Sequence, residues 1–191
     1  MIRCYITDRH ALRGETLLDS IARNLHAGIE WIQIREKDLE ARPLYELVLA
    51  AKALPNPHGT KFLVNTRVDV AIAAGADGAH FPSRSPEPRR WRGIVPPGFL
   101  FGASCHSIEE LTQAEREGAT YAVFGPVFAP RSKASAIAPH GIEGLHEAVQ
   151  KVQIPVLALG GITQASVDDC IRAGAAGISG ISLFLETSIA C

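Results

Sequence analysis

Four stretches of this chain share one joint: a helix-like run ends, a glycine follows, and a strand-like apolar run begins within three residues. They read Ala27-Gly28-Ile29-Glu30-Trp31, Ala74-Gly75-Ala76-Asp77-Gly78, Glu117-Gly118-Ala119-Thr120-Tyr121 and Ala173-Gly174-Ala175-Ala176-Gly177. Glycine at that place suits the left-handed residue that closes a helix. A recurring helix–glycine–strand joint is what tandem βα units require.

The rest of the chain keeps the same rhythm. Strand-like runs fall at residues 3–8, 31–35, 61–65, 78–81, 100–104, 121–127, 155–161 and 177–182. Most are continuous apolar stretches, as expected of strands covered on both faces. The clearest helix-like segments between them are 15–27, 43–54, 108–117, 142–152 and 165–173, with Ser107 and Glu110 reading as a capping box and Thr163 as a cap. Segments 54–60 and 82–98 are rich in Pro and Gly and read as loops. The expected fold is an α/β (β/α)₈ TIM barrel, one domain over residues 1–191, with an open doubly wound sheet as the alternative. Only nine residues follow Ser182, so the final helix is expected to be shortened and the barrel edge beside it open to self-association.

Composition narrows the function. With a net charge of −1, the chain has no basic field for nucleic acid or anionic lipid, so an anionic ligand must be held by local groups. The N-terminal run lacks the build of a signal peptide, and no apolar stretch is long enough to span a membrane. Cys4, Cys105, Cys170 and Cys191 are scattered, without metal-ligand spacing, which predicts reduced thiols and a cytoplasmic location.

In a barrel of this kind the site lies at the C-terminal ends of the strands. Gln33, Arg35 and Lys37 fall on one face of the second strand and suit a phosphate or carboxylate, unless Arg35 pairs with Glu36 instead. Asn65 ends the third strand, either orienting a ligand or capping the next helix. His80 ends the fourth, and Ser104 and His106 follow the fifth. Gly160 and Gly161, with Ser179 and Ser182 along the eighth strand, form the expected phosphate pocket. There glycine would let an oxyanion approach backbone amides beside a helix N-terminus.

In this order the clusters resemble the thiamine phosphate synthase/TenI superfamily. The matching pieces are Gln33-Ile-Arg35-Glu-Lys37, Asn65, Gly75-Ala-Asp-Gly-Ala-His80, Gly102-Ala-Ser104-Cys-His106, Tyr121-Ala-Val-Phe-Gly125-Pro126, Lys133 and Ile154-Pro-Val-Leu-Ala-Leu-Gly160-Gly161. They span about residues 3–184. The resemblance implies an enzyme of thiamine biosynthesis whose partners are small phosphorylated thiazole or pyrimidine substrates. It places the pyrimidine diphosphate on Gln33, Arg35, Lys37, Asn65, Ser104 and Lys133, and the thiazole phosphate near Gly161 and Ser182.

Two departures bear on the reaction. The synthases carry metal-binding Asp residues where this chain has Thr66 and Ser85, and neutral hydroxyls are poor Mg²⁺ ligands. No protein-held metal is therefore expected, with Mg²⁺ entering only if the chain is a synthase. The first expectation is a TenI-like, metal-independent thiazole tautomerase, with His80, His106 or Lys37 moving the proton. Pro126 is synthase-like, however, and stands where the tautomerases carry their histidine. The alternatives are a synthase and a non-catalytic binder of thiazole or thiamine phosphate.

Overall fold

A computed structural model describes residues 1–83, 85–129 and 138–185. Eight parallel strands close into a barrel in chain order: β1 (Ile2–Ile6), β2 (Trp31–Ile34), β3 (Lys61–Asn65), β4 (Gly78–Phe81), β5 (Leu100–Cys105), β6 (Tyr121–Phe124), β7 (Val156–Leu159) and β8 (Gly177–Gly180). Closure is made by β1 on β8, with Cys4 opposite Ser179. The described helices are α1 (Leu17–His26), α2 (Ala41–Lys52), α3 (Val68–Ala73), α4 (Ile108–Arg116), α5 (Gly141–Val149) and α6 (Val167–Arg172).

The four glycine joints behave as the repeat predicts. Gly28, Gly75, Gly118 and Gly174 all have positive φ, between 64° and 99°. In each case the next residue's amide reaches back to the carbonyl five residues before it, as Ile29 does to Asn24 and Ala119 to Ala114. This 6→1 closure absorbs a carbonyl that the helix end would otherwise leave bare. Each turn then delivers the chain directly into a strand.

Strand alternation divides the apolar residues into two layers. Cys4, Trp31, Leu63, Tyr121, Val123 and Leu157 form a small cluster inside the barrel, where the Trp31 and Tyr121 rings meet edge-on at 4.7 Å. A larger cluster, including Ile32, Val64, Phe101, Phe124 and Ile178, fills the space between strands and helices. The strands therefore carry few polar residues until their C-terminal ends.

The ends of the elements differ from the pattern in instructive ways. The Ser107 hydroxyl caps α4 by accepting the Glu110 amide, but the Glu110 carboxylate reaches one residue further back, to the His106 amide at 2.7 Å. Among the described residues between β4 and β5 there is a 3₁₀ turn, Pro88–Trp91, as the Pro-rich segment suggests. After β8 the described chain holds a 3₁₀ turn, Ser182–Phe184, whose last carbonyl accepts from Arg23 and Asn24 of α1. Phe184 is fully buried against Tyr5. Among the described residues no helix is long and apolar enough to cross a membrane.

Candidate active site

The C-terminal mouth of the barrel opens into a cavity of about 310 Å³. Gln33, Arg35, Lys37, Asn65, His80, Ser104 and His106 line it, with Ile6, Val123, Leu159 and Ile181 as apolar wall. Alternation brings these polar residues together from four neighbouring strand ends. Lys133 falls outside the described residues.

Arg35 is half-buried and makes no side-chain hydrogen bond or ion pair with another described residue. The alternative of an Arg35–Glu36 pair is not realised, because Glu36, one residue on, points to the opposite face. There its carboxylate accepts the Thr7 hydroxyl at 2.6 Å and the Arg9 guanidinium at 3.0 Å. Gln33 is also buried, and its amide nitrogen has no partner among the described residues. An unmatched guanidinium and an unmatched buried amide in one cavity form a donor set suited to an anion and a polar ring. Asn65 is oriented by a bond from its Nδ2 to the Thr66 hydroxyl at 2.8 Å.

His80 is placed differently from a proton carrier. Its ring is 3% exposed, wedged between the Tyr121 hydroxyl, 3.0 Å from Nδ1, and the Ser104 hydroxyl, 2.8 Å from Nε2. Burial, helped by the positive charge of Arg35, lowers its pKa to about 3. The imidazole is therefore neutral at physiological pH and orients Ser104 toward the cavity. Tyr121, whose own pKa is driven well up by burial, completes this stack. Gly102 makes room for it, since a Cβ there would lie 2.1 Å from the Tyr121 ring and 2.5 Å from His80 Nδ1. His106 is more open. Its Nδ1 lies 2.7 Å from the Gly125 carbonyl, which can only accept, so Nδ1 carries the proton and Nε2 is left as an acceptor.

The expected phosphate end is closely packed. A Cβ on Gly160 would lie 2.7 Å from Pro126, and one on Gly161 would lie 2.5 Å from the Ala129 carbonyl, so both glycines answer to packing of the chain after β6. The segment after Gly161 leads into a 3₁₀ turn and then the six-residue α6, with Asp168 and Asp169 in its first turn, which leaves little dipole for an anion. Ser179 is 1% exposed inside the barrel, one layer below the mouth, with its hydroxyl beside the Cys4 thiol. What survives is the backbone: the amides of Gly161 and Ile162 have no partner among the described residues, and they follow Leu159 on the cavity wall. Ser182 opens the 3₁₀ turn just past the end of β8, the strand paired with β7, where Ile181 lines the cavity.

The residues present do not make a metal cage. Among the described residues no three His, Cys, Asp or Glu side chains gather in a metal-binding group. The Thr66 hydroxyl accepts from Asn65, and the Ser85 hydroxyl donates to the Pro82 carbonyl at 2.7 Å. Asp8, the acid at the end of β1, caps a 3₁₀ turn by accepting the His10 amide.

The family model described as thiamine monophosphate synthase matches residues 3–184, the whole barrel and its mouth. The chain belongs to the thiamine monophosphate synthase family. Members of this family similar to it include the thiamine-phosphate synthase of Methanoculleus marisnigri, 42% identical over 93% of this chain and 84% of that one. The thiamine-phosphate synthase of Roseiflexus castenholzii is 40% identical over 93% of this chain and 78% of its own length. Among solved structures, the thiamine phosphate pyrophosphorylase from Pyrococcus furiosus superposes with a TM-score of 0.83 at 32% identity, covering 97% of this chain and 88% of that one. Membership places the chain in thiamine biosynthesis, as an enzyme.

Tyr121, Gly102, Thr7 and Arg9 were not singled out as site residues from the sequence. Thr7, a polar residue at the end of an apolar strand, was a visible signal. The role of Tyr121 was hidden, because a tyrosine opening a strand reads equally well as core.

Proposed function

We propose that this chain is a thiamine phosphate synthase, joining a hydroxymethylpyrimidine diphosphate to a thiazole phosphate. The single observation that carries this reading is Arg35, a guanidinium in the barrel mouth without a counter-ion among the described residues. In the reaction the thiazole nitrogen forms a bond to the pyrimidine methylene as the methylene–oxygen bond breaks and pyrophosphate leaves. Arg35 and Lys37 face the departing charge, where a low-dielectric pocket makes each contact worth more than in water. Gln33, Asn65 and Ser104 hold the ring, with Ser104 oriented by neutral His80. Ile6, Val123, Leu159 and Ile181 exclude the water that would otherwise trap a cation-like methylene. The amides of Gly161 and Ile162, with Ser182 past the end of the neighbouring β8, receive the thiazole phosphate.

Because Thr66 and Ser85 do not form a metal site, leaving-group stabilisation in this chain is assigned to its cationic side chains. The tautomerase reading is favoured by the missing acids but needs a proton carrier, and His80 with a pKa near 3 is a poor one. His106 Nε2 is the remaining acceptor for that chemistry. The test is incubation of the purified protein with both precursors, with and without Mg²⁺, reading thiamine phosphate by oxidation to a fluorescent thiochrome. No product under either condition overturns the synthase reading. Aromatisation of the dihydrothiazole tautomer above the buffer rate would replace it with the tautomerase, and tight thiazole phosphate binding without any turnover would leave a binder.

A further inference from the structure

The ladder of β2 stops at Ile34, yet the two cations that face the cavity, Arg35 and Lys37, lie beyond it. Two links hold this overhang to β1. The Thr7 amide donates to the Gln33 carbonyl at 2.9 Å, and the Arg35 amide donates to the Thr7 hydroxyl oxygen at 2.9 Å. Thr7 then uses its own proton on Glu36 Oε1. One fully buried hydroxyl thus ties the backbone of Arg35 to the side chain of the next residue.

Glu36 is itself 1% exposed at its side chain and is gripped on the other oxygen. Oε2 accepts the Arg9 amide at 3.2 Å and the Arg9 guanidinium at 3.0 Å. Arg9 is fixed in turn by Asp38, at 2.7 Å and through a second, shorter contact, and Asp38 also meets His10. The Leu39 amide closes a turn onto the Glu36 carbonyl. A buried carboxylate is costly unless its partners are all in place. Here those partners sit on the β1–α1 connection, outside the cavity.

We propose that Glu36 is a positioning residue: clamped by Thr7 and Arg9 on the outer face, it aims Arg35 and Lys37, its neighbours on the inner face, at the diphosphate. The inference rests on the synthase reading only in taking a diphosphate as the anion. The clamp acts through the backbone: with the Arg35 amide and the Glu36 carboxylate both held by Thr7, the directions of the two residues that flank Glu36 are set. Less than an ångström of misplacement costs a charged contact much of its effect.

The test uses the full chain and inorganic pyrophosphate as probe, titrated calorimetrically with and without Mg²⁺. Wild type binds, and Thr7→Val, which keeps shape and the amide link to Gln33 but removes the hydroxyl's bonds to the Arg35 amide and to Glu36, binds about tenfold more weakly. Glu36→Gln, which keeps an acceptor oxygen, falls between them. In turnover, the KM for the pyrimidine diphosphate rises in step while the KM for thiazole phosphate stays within about twofold, a split that general loosening of the fold would not produce. If Thr7→Val does not fold, Asp38→Asn, at an exposed position, weakens pyrophosphate binding about threefold through Arg9. Unchanged affinity in the folded variants, or equal loss for both substrates, overturns the clamp and leaves the synthase reading standing. Failure of wild type to bind pyrophosphate at all overturns both.

Discussion

His80 Nε2 lies 2.8 Å from the Ser104 hydroxyl, so a histidine at the end of β4 serves the cavity by directing a serine on β5. Its folded pKa, about 3, lies below the ordinary value of 6.5. A depressed pKa means the unfolded chain binds the proton first as pH falls. The stability His80 contributes is thus complete above about pH 6.5 and is lost as pH drops toward 3, at up to about 1.4 kcal/mol per pH unit. Urea unfolding measured between pH 7 and pH 4 checks this, with His80→Gln showing a flatter profile than wild type.

The same stack depends on Gly102. In Gly102→Ala the new methyl would collide with the Tyr121 ring and His80. Neither is a flexible chain end, so overpacking of about 1–3 kcal/mol is expected, lowering Tm by several degrees. Calorimetry gives the Tm, and pyrophosphate titration gives the accompanying loss of affinity as Ser104 loses its support.

Arg35→Gln separates binding from folding. Because Arg35 makes no ion pair with the described residues, its loss leaves Tm within about 1–2 °C. A charge-assisted contact contributes about 1.5–3 kcal/mol, so pyrophosphate affinity is expected to fall by about 10- to 150-fold. The substitution also removes a positive neighbour from His80, so the histidine's titration, followed by NMR, shifts upward.

Thr66 has φ of +67°, with the Arg67 amide bonded to the Asn65 carbonyl at 2.7 Å across a three-residue turn. That backbone region costs a β-branched residue about 1–2 kcal/mol, whereas Asn and Asp adopt it more readily. Thr66→Asn is expected to raise stability by about 1 kcal/mol, measured by urea unfolding. Thr66→Asp with Ser85→Asp should in addition make pyrophosphate binding and turnover rise more steeply with Mg²⁺, since hard anionic oxygens then face the site.

Ser179→Ala tests the phosphate end. Its buried hydroxyl faces the Cys4 thiol, a weak partner, so removing it should change stability by no more than about 1 kcal/mol. Thiazole phosphate affinity should not change. A marked loss would return Ser179 to the binding site.

The local pattern determined the barrel. Helix–glycine joints and two-sided apolar strands are encoded within a few residues, and the every-second-residue spacing of Gln33, Arg35 and Lys37 already grouped them at the end of β2. Only the tertiary structure decided what those side chains meet there. Glu36 was a natural partner for Arg35 by proximity in sequence, but adjacent strand residues face opposite ways, and Thr7 and Arg9 reach Glu36 from another strand end. Gly160 and Gly161 suggested an open cradle, while their neighbours Pro126 and Ala129, more than thirty residues away in sequence, demand the glycines for packing. The neutral state of His80 is set by burial and a charge on β2, neither of which a strand-end histidine reveals. Backbone preference is local, whereas solvation, close packing and charge pairing arise from residues that meet only after the barrel closes.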